Sequence, residues 1–335
     1  MLYPIDMDGR MDIGGFLGLE LPKFGNLPQW HWKRGVFVNS GRGALEYILR
    51  SLGDIQCIYV PFYTCRTVLE LLRRLHMAMK FYRVNEWLEL EKCPELKDGE
   101  YLLYTNYFGI KEKYVTHLAS LYGGRLIVDN ALALYSPPPP GAASFYSPRK
   151  FSGLPDGGIA IMNSDRILLL PEERDESLSD ASFLLECLEY GVEKASAACE
   201  RNERRLDRAP LRSMSRLTER LMNGIDYERA GRQRIDNFLF LHERLGRLNR
   251  LLVDMDSVSV PFCYPFWTAF PELRNILIDE RILIPMLWDG LEEDAPSDSL
   301  EQKLALHLLP LPVDQRYGML EMERIATLVD GFYSS

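Results

Sequence analysis

The chain has 335 residues, with 39 Lys and Arg against 48 Asp and Glu for a net charge of −9, and it is 47% hydrophobic. That length holds about two domains, and the composition excludes a disordered chain, a collagen and a small disulfide scaffold. The acidic balance argues against nucleic acid as a partner. No apolar run approaches the ~18–20 residues of a membrane helix. The first residues lack the basic start and apolar stretch of a secretory leader. Six cysteines are scattered without a CxxC pair, which indicates neither a zinc ribbon nor a disulfide framework and makes a reduced, cytoplasmic compartment the simplest expectation. The five histidines show no ligand spacing, so no metal site is expected.

Residues 1–35 lack periodicity and read as an extended N-terminal arm. From residue 36 the pattern becomes α/β. GVFVNSGRGALEYILRSLG is a short strand, a glycine turn and a helix with apolar residues at helical spacing. QCIYVP reads as a strand and TCRTVLELLRRLHM as a helix; MKFYRV, YLLYTN and RLIVDNA follow as strands, with a helix near 113–122. Strands alternating with helices predict a mostly parallel sheet covered on both faces. After four prolines at 137–140, ASFYS and GGIAIMN read as two strands flanking a loop. One helix is expected over about 181–207 and a second stretch over about 215–247, a bridge to a smaller α/β segment with a strand at RILIPML and a helix after Met319. The expected division is an arm at 1–35, a large domain at 36–230 and a small C-terminal domain at 231–335.

Three places carry chemistry. Ser40-Gly41-Arg42-Gly43 lies between a strand and a helix, where main-chain N–H groups converge and the helix N-terminus favours an anion; an ordinary tight turn gives the same pattern. Asp129 ends the apolar strand Leu126-Ile127-Val128, and ligands of open parallel sheets bind beyond the carboxyl ends of the strands; the alternative is a turn cap. Lys150 sits in a Pro- and Gly-rich loop between two strands, with Arg149 beside it to disfavour its ammonium form and make the amine more nucleophilic; the alternative is an exposed loop lysine. Together these are the three anchors of pyridoxal 5'-phosphate: a phosphate cradle, a carboxylate that keeps the ring nitrogen protonated, and a lysine that forms the Schiff base.

The set resembles the DegT/StrS family of sugar aminotransferases, of pyridoxal-phosphate fold-type I. The phosphate loop of that family is matched by residues 40–45, its Val-Pro-x-Tyr-Thr by Val60-Pro61-Phe62-Tyr63-Thr64, and its Asp-x-Ala by Asp129-Asn130-Ala131. Lys150 precedes Gly157 by seven residues, as the family's reactive lysine precedes its Gly-Gly pair, and the tail Leu311-Pro312-Val313-Asp314-Gln315-Arg316-Tyr317 is similar too. The resemblance implies a large, mostly parallel sheet domain with a smaller C-terminal α/β domain. It implies Lys150 and Asp129 as catalytic residues, with Ser40, Gly41, Arg42, Tyr63, Cys65, Ala131 and Ser147 also at the cofactor. It further implies transfer of an amino group, from glutamate to a nucleotide-linked keto-sugar, by a homodimer. The sequence departs from the family at Leu132, where many members carry Gln, at Cys65, where a ring-stacking aromatic often falls, and at Ser213-Met214-Ser215, where an Asn-Tyr-Arg segment is expected. These leave open another substrate or reaction of the same cofactor, or a non-catalytic member of the fold. Seven arginines between 201 and 220 read either as a solvated helix face or as a site for a diphosphate or a dimer contact.

Overall fold

A computed structural model describes residues 17–162, 173–288, 291 and 295–334. The first sixteen residues of the expected arm, and the end of the GGIAIMN segment, lie outside the described residues. The rest of the arm is not wholly extended, because α1 (Gln29–Arg34) forms immediately before β1 (Gly35–Val38). Next come α2 (Gly41–Leu52), β2 (Cys57–Pro61), α3 (Arg66–Arg74), β3 (Met79–Tyr82), β4 (Glu100–Thr105), α4 (Glu112–Tyr122), β5 (Leu126–Asn130), β6 (Ala143–Tyr146) and β7 (Gly158–Ile161). The seven strands form one sheet in the order β1-β7-β6-β5-β4-β2-β3. The pairs from β6 through β3 are all parallel, and only β7 runs against its neighbours. This is the fold class the alternating pattern predicts.

The helices after the sheet differ from the sequence expectation at two glycines. The helix expected over 181–207 is two helices, α5 (Ser182–Tyr190) and α6 (Val192–Arg208), because Gly191 takes φ +85° and turns the chain. Likewise Gly224 separates α7 (Arg216–Asn223) from α8 (Tyr227–Leu245), and Asp226 caps the new start by accepting from the Arg229 N–H. The remaining elements are β8 (Cys263–Trp267), α9 (Leu273–Asp279), α10 (Leu300–His307), β9 (Leu308–Pro312) and α11 (Met319–Ser334). β8 and β9 pair antiparallel as a second sheet.

The strand expected at RILIPML does not form. Pro285 has no N–H to give a ladder. The buried Arg274 guanidinium takes the carbonyls of Ile284 and Pro285 at 3.2 and 2.8 Å instead.

Period-two alternation sorts the sheet into two faces. Leu103, Ile127 and Phe145 pack with Ala44, Leu45 and Ile48 of α2 and with Leu69 and Leu72 of α3. The opposite face presents Leu102, Tyr104 and Val128 to a larger cluster that also holds Phe238 and Leu241 of α8, Tyr264 and Phe266 of β8, and Leu309 and Leu311 of β9. The two sheets thus share a core. The aromatic runs Tyr104 to Phe108 and Tyr264 to Trp267 are part of it.

His31 is fully buried, with its Nε2 at 2.8 Å from the Leu134 carbonyl and its ring edge-on to Tyr146. Burial lowers it from 6.5 to about 4, against the opposing effect of that carbonyl. A base depressed in the folded state is protonated first in the unfolded chain. Stability is therefore expected to fall as pH drops from about 6.5 to 4, by about 3 kcal/mol from this residue. Urea denaturation of His31→Gln across that window should show a flatter pH dependence; an unchanged slope would assign the loss to other groups.

Candidate functional site

The turn after β1 is closed by the start of α2. Ser40 has extended backbone angles, and its Oγ accepts from the Gly43 N–H at 2.9 Å, an N-cap. A Cβ at Gly41 would stand 3.2 Å from the Ser147 Cβ, and a Cβ at Gly158 would lie 2.0 Å from the Ser40 carbonyl oxygen. Gly157 takes φ +124°, and its N–H donates to the Asn39 carbonyl at 2.8 Å. The two glycines seven and eight residues after Lys150 are therefore where the lysine loop lies backbone to backbone against the start of α2. Ser40, Gly41, Ser147, Gly157 and Gly158 are brought together in this way.

Asp129 stands beside them. It shares the sheet face of Ile127, which packs against α2, and it pairs in register with Thr105 on β4. The carboxylate is buried and accepts from the Ala131 N–H at 2.8 Å. Burial pushes it up to about 7, against the pull of that N–H and of the Lys150 ammonium. One hydrogen bond leaves most of its acceptor capacity unused in a dry place. The Thr105 hydroxyl at the same register, the Thr64 hydroxyl and the Arg42 Nε are buried without a hydrogen-bond partner. A buried carboxylate short of a cation, beside a helix N-terminus, fits a cationic ring that carries an anionic group.

Lys150 is exposed at the end of a 3₁₀ turn, Pro148–Lys150, that follows β6. The next residue is tied down from the far side of the molecule. Arg234 of α8 is buried, with its guanidinium 4.7 Å over the Phe151 ring and an N–H on the Phe151 carbonyl at 3.3 Å. It also donates to the carbonyls of Pro261 and Phe262 and to Gln315 Oε1, while Gln315 Nε2 donates to the same Phe151 carbonyl at 2.9 Å. At the other end of the loop, buried Asp156 accepts from the Ser215 N–H and hydroxyl at 2.8 and 2.6 Å and from the Thr218 hydroxyl. The Ser213-Met214-Ser215 segment thus clasps the lysine loop. Sequence reasoning missed Arg234 and Asp156: an arginine in a helix and an aspartate in a loop carry no local signal of such distant partners.

Two predicted residues are placed elsewhere. Arg42 points to the end of α6, where it donates to the carbonyls of Leu206 and Asp207 and pairs with the Asp207 carboxylate at 2.6 Å. Tyr63 is buried in the large cluster on the opposite sheet face, stacked on Tyr107 and edge-on to Trp288. Cys65 precedes α3, half-buried, with Sγ 3.1 Å from the Thr67 hydroxyl. Leu132 is core, packed in the large cluster. Several of the seven arginines are matched by acids: Arg204 with Glu200, Arg205 with Asp175 and Asp180, Arg212 with Glu173. No helix among the described residues is long and apolar enough to cross a membrane.

At the level of sequence, no family model and no curated protein matches the chain. Solved structures do. The sugar aminotransferase CalS13 from Micromonospora echinospora is 13% identical with TM-score 0.62, covering 93% of each chain. DesI, solved in the presence of its TDP-sugar product, is 13% identical with TM-score 0.58 over 90% of this chain and 83% of its own. NtdA from Bacillus subtilis, solved with bound cofactor PMP, is 11% identical with TM-score 0.61 over 94% and 79%. The chain has the fold of these proteins.

Two outcomes are expected. Arg234→Met strips the Pro261 and Phe262 carbonyls and Gln315 Oε1 of their donor, and the Phe151 carbonyl of one of its two, and should cost about 2–4 kcal/mol, with Gln315→Leu about 1; chemical denaturation within error of wild type for Arg234→Met would mean the guanidinium anchors nothing. For Asp129 the sign is opposite to that of His31. An acid raised from 3.8 to about 7 by folding contributes stability below pH ~4 that is lost as pH rises through 7. Asp129→Asn should therefore be the more stable protein at pH 8, without added ligand, by about 2–4 kcal/mol; a less stable variant would make Asp129 a structural cap.

Proposed function

We propose that the chain is a pyridoxal 5'-phosphate-dependent aminotransferase of the DegT/StrS type, which moves an amino group from glutamate to a nucleotide-linked keto-sugar in amino-sugar or polysaccharide synthesis. The observation that carries the reading is the Asp129 carboxyl at the end of β5, whose burial outweighs the pull of the Ala131 N–H and of the Lys150 ammonium. The motif order and a fold common to sugar aminotransferases and a PMP-bound protein support it.

When bound, the cofactor supplies an electron sink that acidifies the C–H bond next to the donor's amino group. Asp129 would hold the ring nitrogen protonated, and pairing with that cation would offset the cost of burying the carboxylate. Main-chain N–H groups at the start of α2, with Ser40 and Ser147 alongside, would take the phosphate. Lys150 would hold the cofactor through its amine and, once released by the donor, would be the base that moves the proton. The loop that carries it is tied down at Phe151 and Asp156. Glycines at 41 and 158 keep the cradle clear of side chains. Ala131 serves through its N–H, which orients Asp129. Cys65, ahead of α3, would be a thin cover for the ring. A nucleotide would add remote contacts whose binding energy positions the reacting carbonyl. A homodimer in the cytoplasm, without nucleic acid or membrane as a partner, completes the reading.

Protein loaded with pyridoxal 5'-phosphate is expected to show a visible absorption band, and borohydride should fix the cofactor on Lys150. Label on another lysine, or none, would end the assignment. Glutamate should bleach the band, and a TDP-, UDP- or GDP-linked keto-sugar should restore it, whereas simple keto acids should do so only as the reverse of the donor step. Asp129→Asn should keep the Lys150 label and slow both half-reactions by about 100-fold or more. Half-reaction rates near wild type in that variant would remove Asp129 from the chemistry.

A further inference from the structure

Helix α6 lies across both halves of the site. Its Asn202 amide donates to the Pro155 carbonyl at 2.6 Å, its Glu203 carboxylate pairs with Arg149, and one turn later Asp207 pairs with Arg42. Glu203 and Asp207, four apart, share a face of the helix, and with Asn202 beside them α6 grips the lysine loop at two points and α2 at a third. The Arg149 side chain is only 11% exposed, so bulk water and salt screen its charge weakly.

Arg149 immediately precedes Lys150. Read from sequence alone, it is an unopposed cation beside the reactive amine. In the structure that cation is matched. Burial works to raise Glu203, yet Arg149, then Lys150 and Arg42, hold it below the usual carboxylate range. Glu203 is thus within electrostatic reach of three cations around the site, each on a different side chain that α6 touches or faces.

We propose that Glu203 is a positioning residue for Lys150: it holds Arg149 against α6 and cancels its charge, so that α6 sets the reactivity of the lysine amine. The proposal rests on the reading of Lys150 as the reactive amine. It adds a carboxylate, distant in sequence, to the lysine loop.

The test reads the amine itself, in protein without added cofactor. Lys150 acylation by acetic anhydride at pH 8 is followed by peptide mass spectrometry against an unstructured lysine peptide. Glu203→Gln leaves the Arg149 cation unbalanced beside Lys150 and should raise the rate by about three- to tenfold. Arg149→Gln leaves the Glu203 anion unbalanced and should lower it by a similar factor. The double variant should return to within about twofold of wild type, and Glu203→Asp should behave as wild type. A purely mechanical latch behaves differently: either single change frees the loop, both rates rise, and the double variant does not recover. That pattern, or single variants indistinguishable from wild type, overturns the proposal. Borohydride trapping of pyridoxal 5'-phosphate on the wild type is run in parallel. If Lys150 takes no label there, the aminotransferase reading fails, while the opposite signs of the two single variants still decide whether Glu203 governs the amine.

Discussion

The site depends on one contact: the backbone of Gly158 lies against the carbonyl of Ser40, closer than any Cβ allows. It joins the start of α2 to the end of the lysine loop, and so fixes the helix N-terminus relative to the loop that carries Lys150. The loop that makes this contact spans eleven residues between β6 and β7 and has no ladder of its own. Order must therefore be imposed from outside. Arg234 and Gln315 hold Phe151, α6 holds Arg149 and Pro155, and Ser215 and Thr218 hold Asp156. Five of these anchors, Asn202, Glu203, Ser215, Thr218 and Arg234, come from α6 to α8, and the sixth, Gln315, from the segment after β9. The later half of the chain thus bears directly on a site whose chemistry lies in the first half.

The anchors carry their own electrostatic logic. Arg234 gives its charge to neutral carbonyls, and burial lowers its affinity for the proton from the usual arginine value. A lysine could not reach so many acceptors in one plane, whereas the guanidinium fork can. Asp129 is the reverse case, a buried anion with little to neutralise it. Folding around it costs stability at neutral pH, and that cost is the sign of a place kept for a cation. His31 adds the opposite pH dependence between 4 and 6.5, so the two slopes offset each other in the whole protein and separate only in single variants.

Much of this was legible in the sequence. The alternation of strands and helices gave the parallel sheet, because apolar runs ended by Gly and Pro admit little else. Ser40, Gly41, Asp129, Ser147 and the glycine pair after Lys150 stand out by local pattern, and the structure brings the serines and glycines together. Local pattern failed where a tertiary partner decides. RILIPML looks like a strand until Arg274 claims its carbonyls. The helix over 181–207 looks continuous because a glycine inside a helical run is tolerated often enough that Gly191 alone does not announce a turn. Tyr63 packs in the large cluster, stacked on Tyr107, a matter of tertiary contact that the motif Val-Pro-x-Tyr-Thr does not state.

Arg42 shows the same limit from the side of function. An arginine in a glycine-rich turn before a helix invites the reading that it grips phosphate. Here its side chain reaches the last turn of α6, whose carbonyls are short of donors at a helix C-terminus, and the Asp207 carboxylate completes the attraction. The guanidinium is thus committed to holding two helices together, and an anion at this turn would be left to main-chain N–H groups and hydroxyls. That division is physically sensible. A main-chain cradle has no rotamers to lose, and the helix dipole acts on it without screening by a mobile side chain. A long cation spent on tertiary contact keeps the cradle's geometry fixed. Glu203 and Asp207 of α6 in turn match the cations of Arg149 and Arg42.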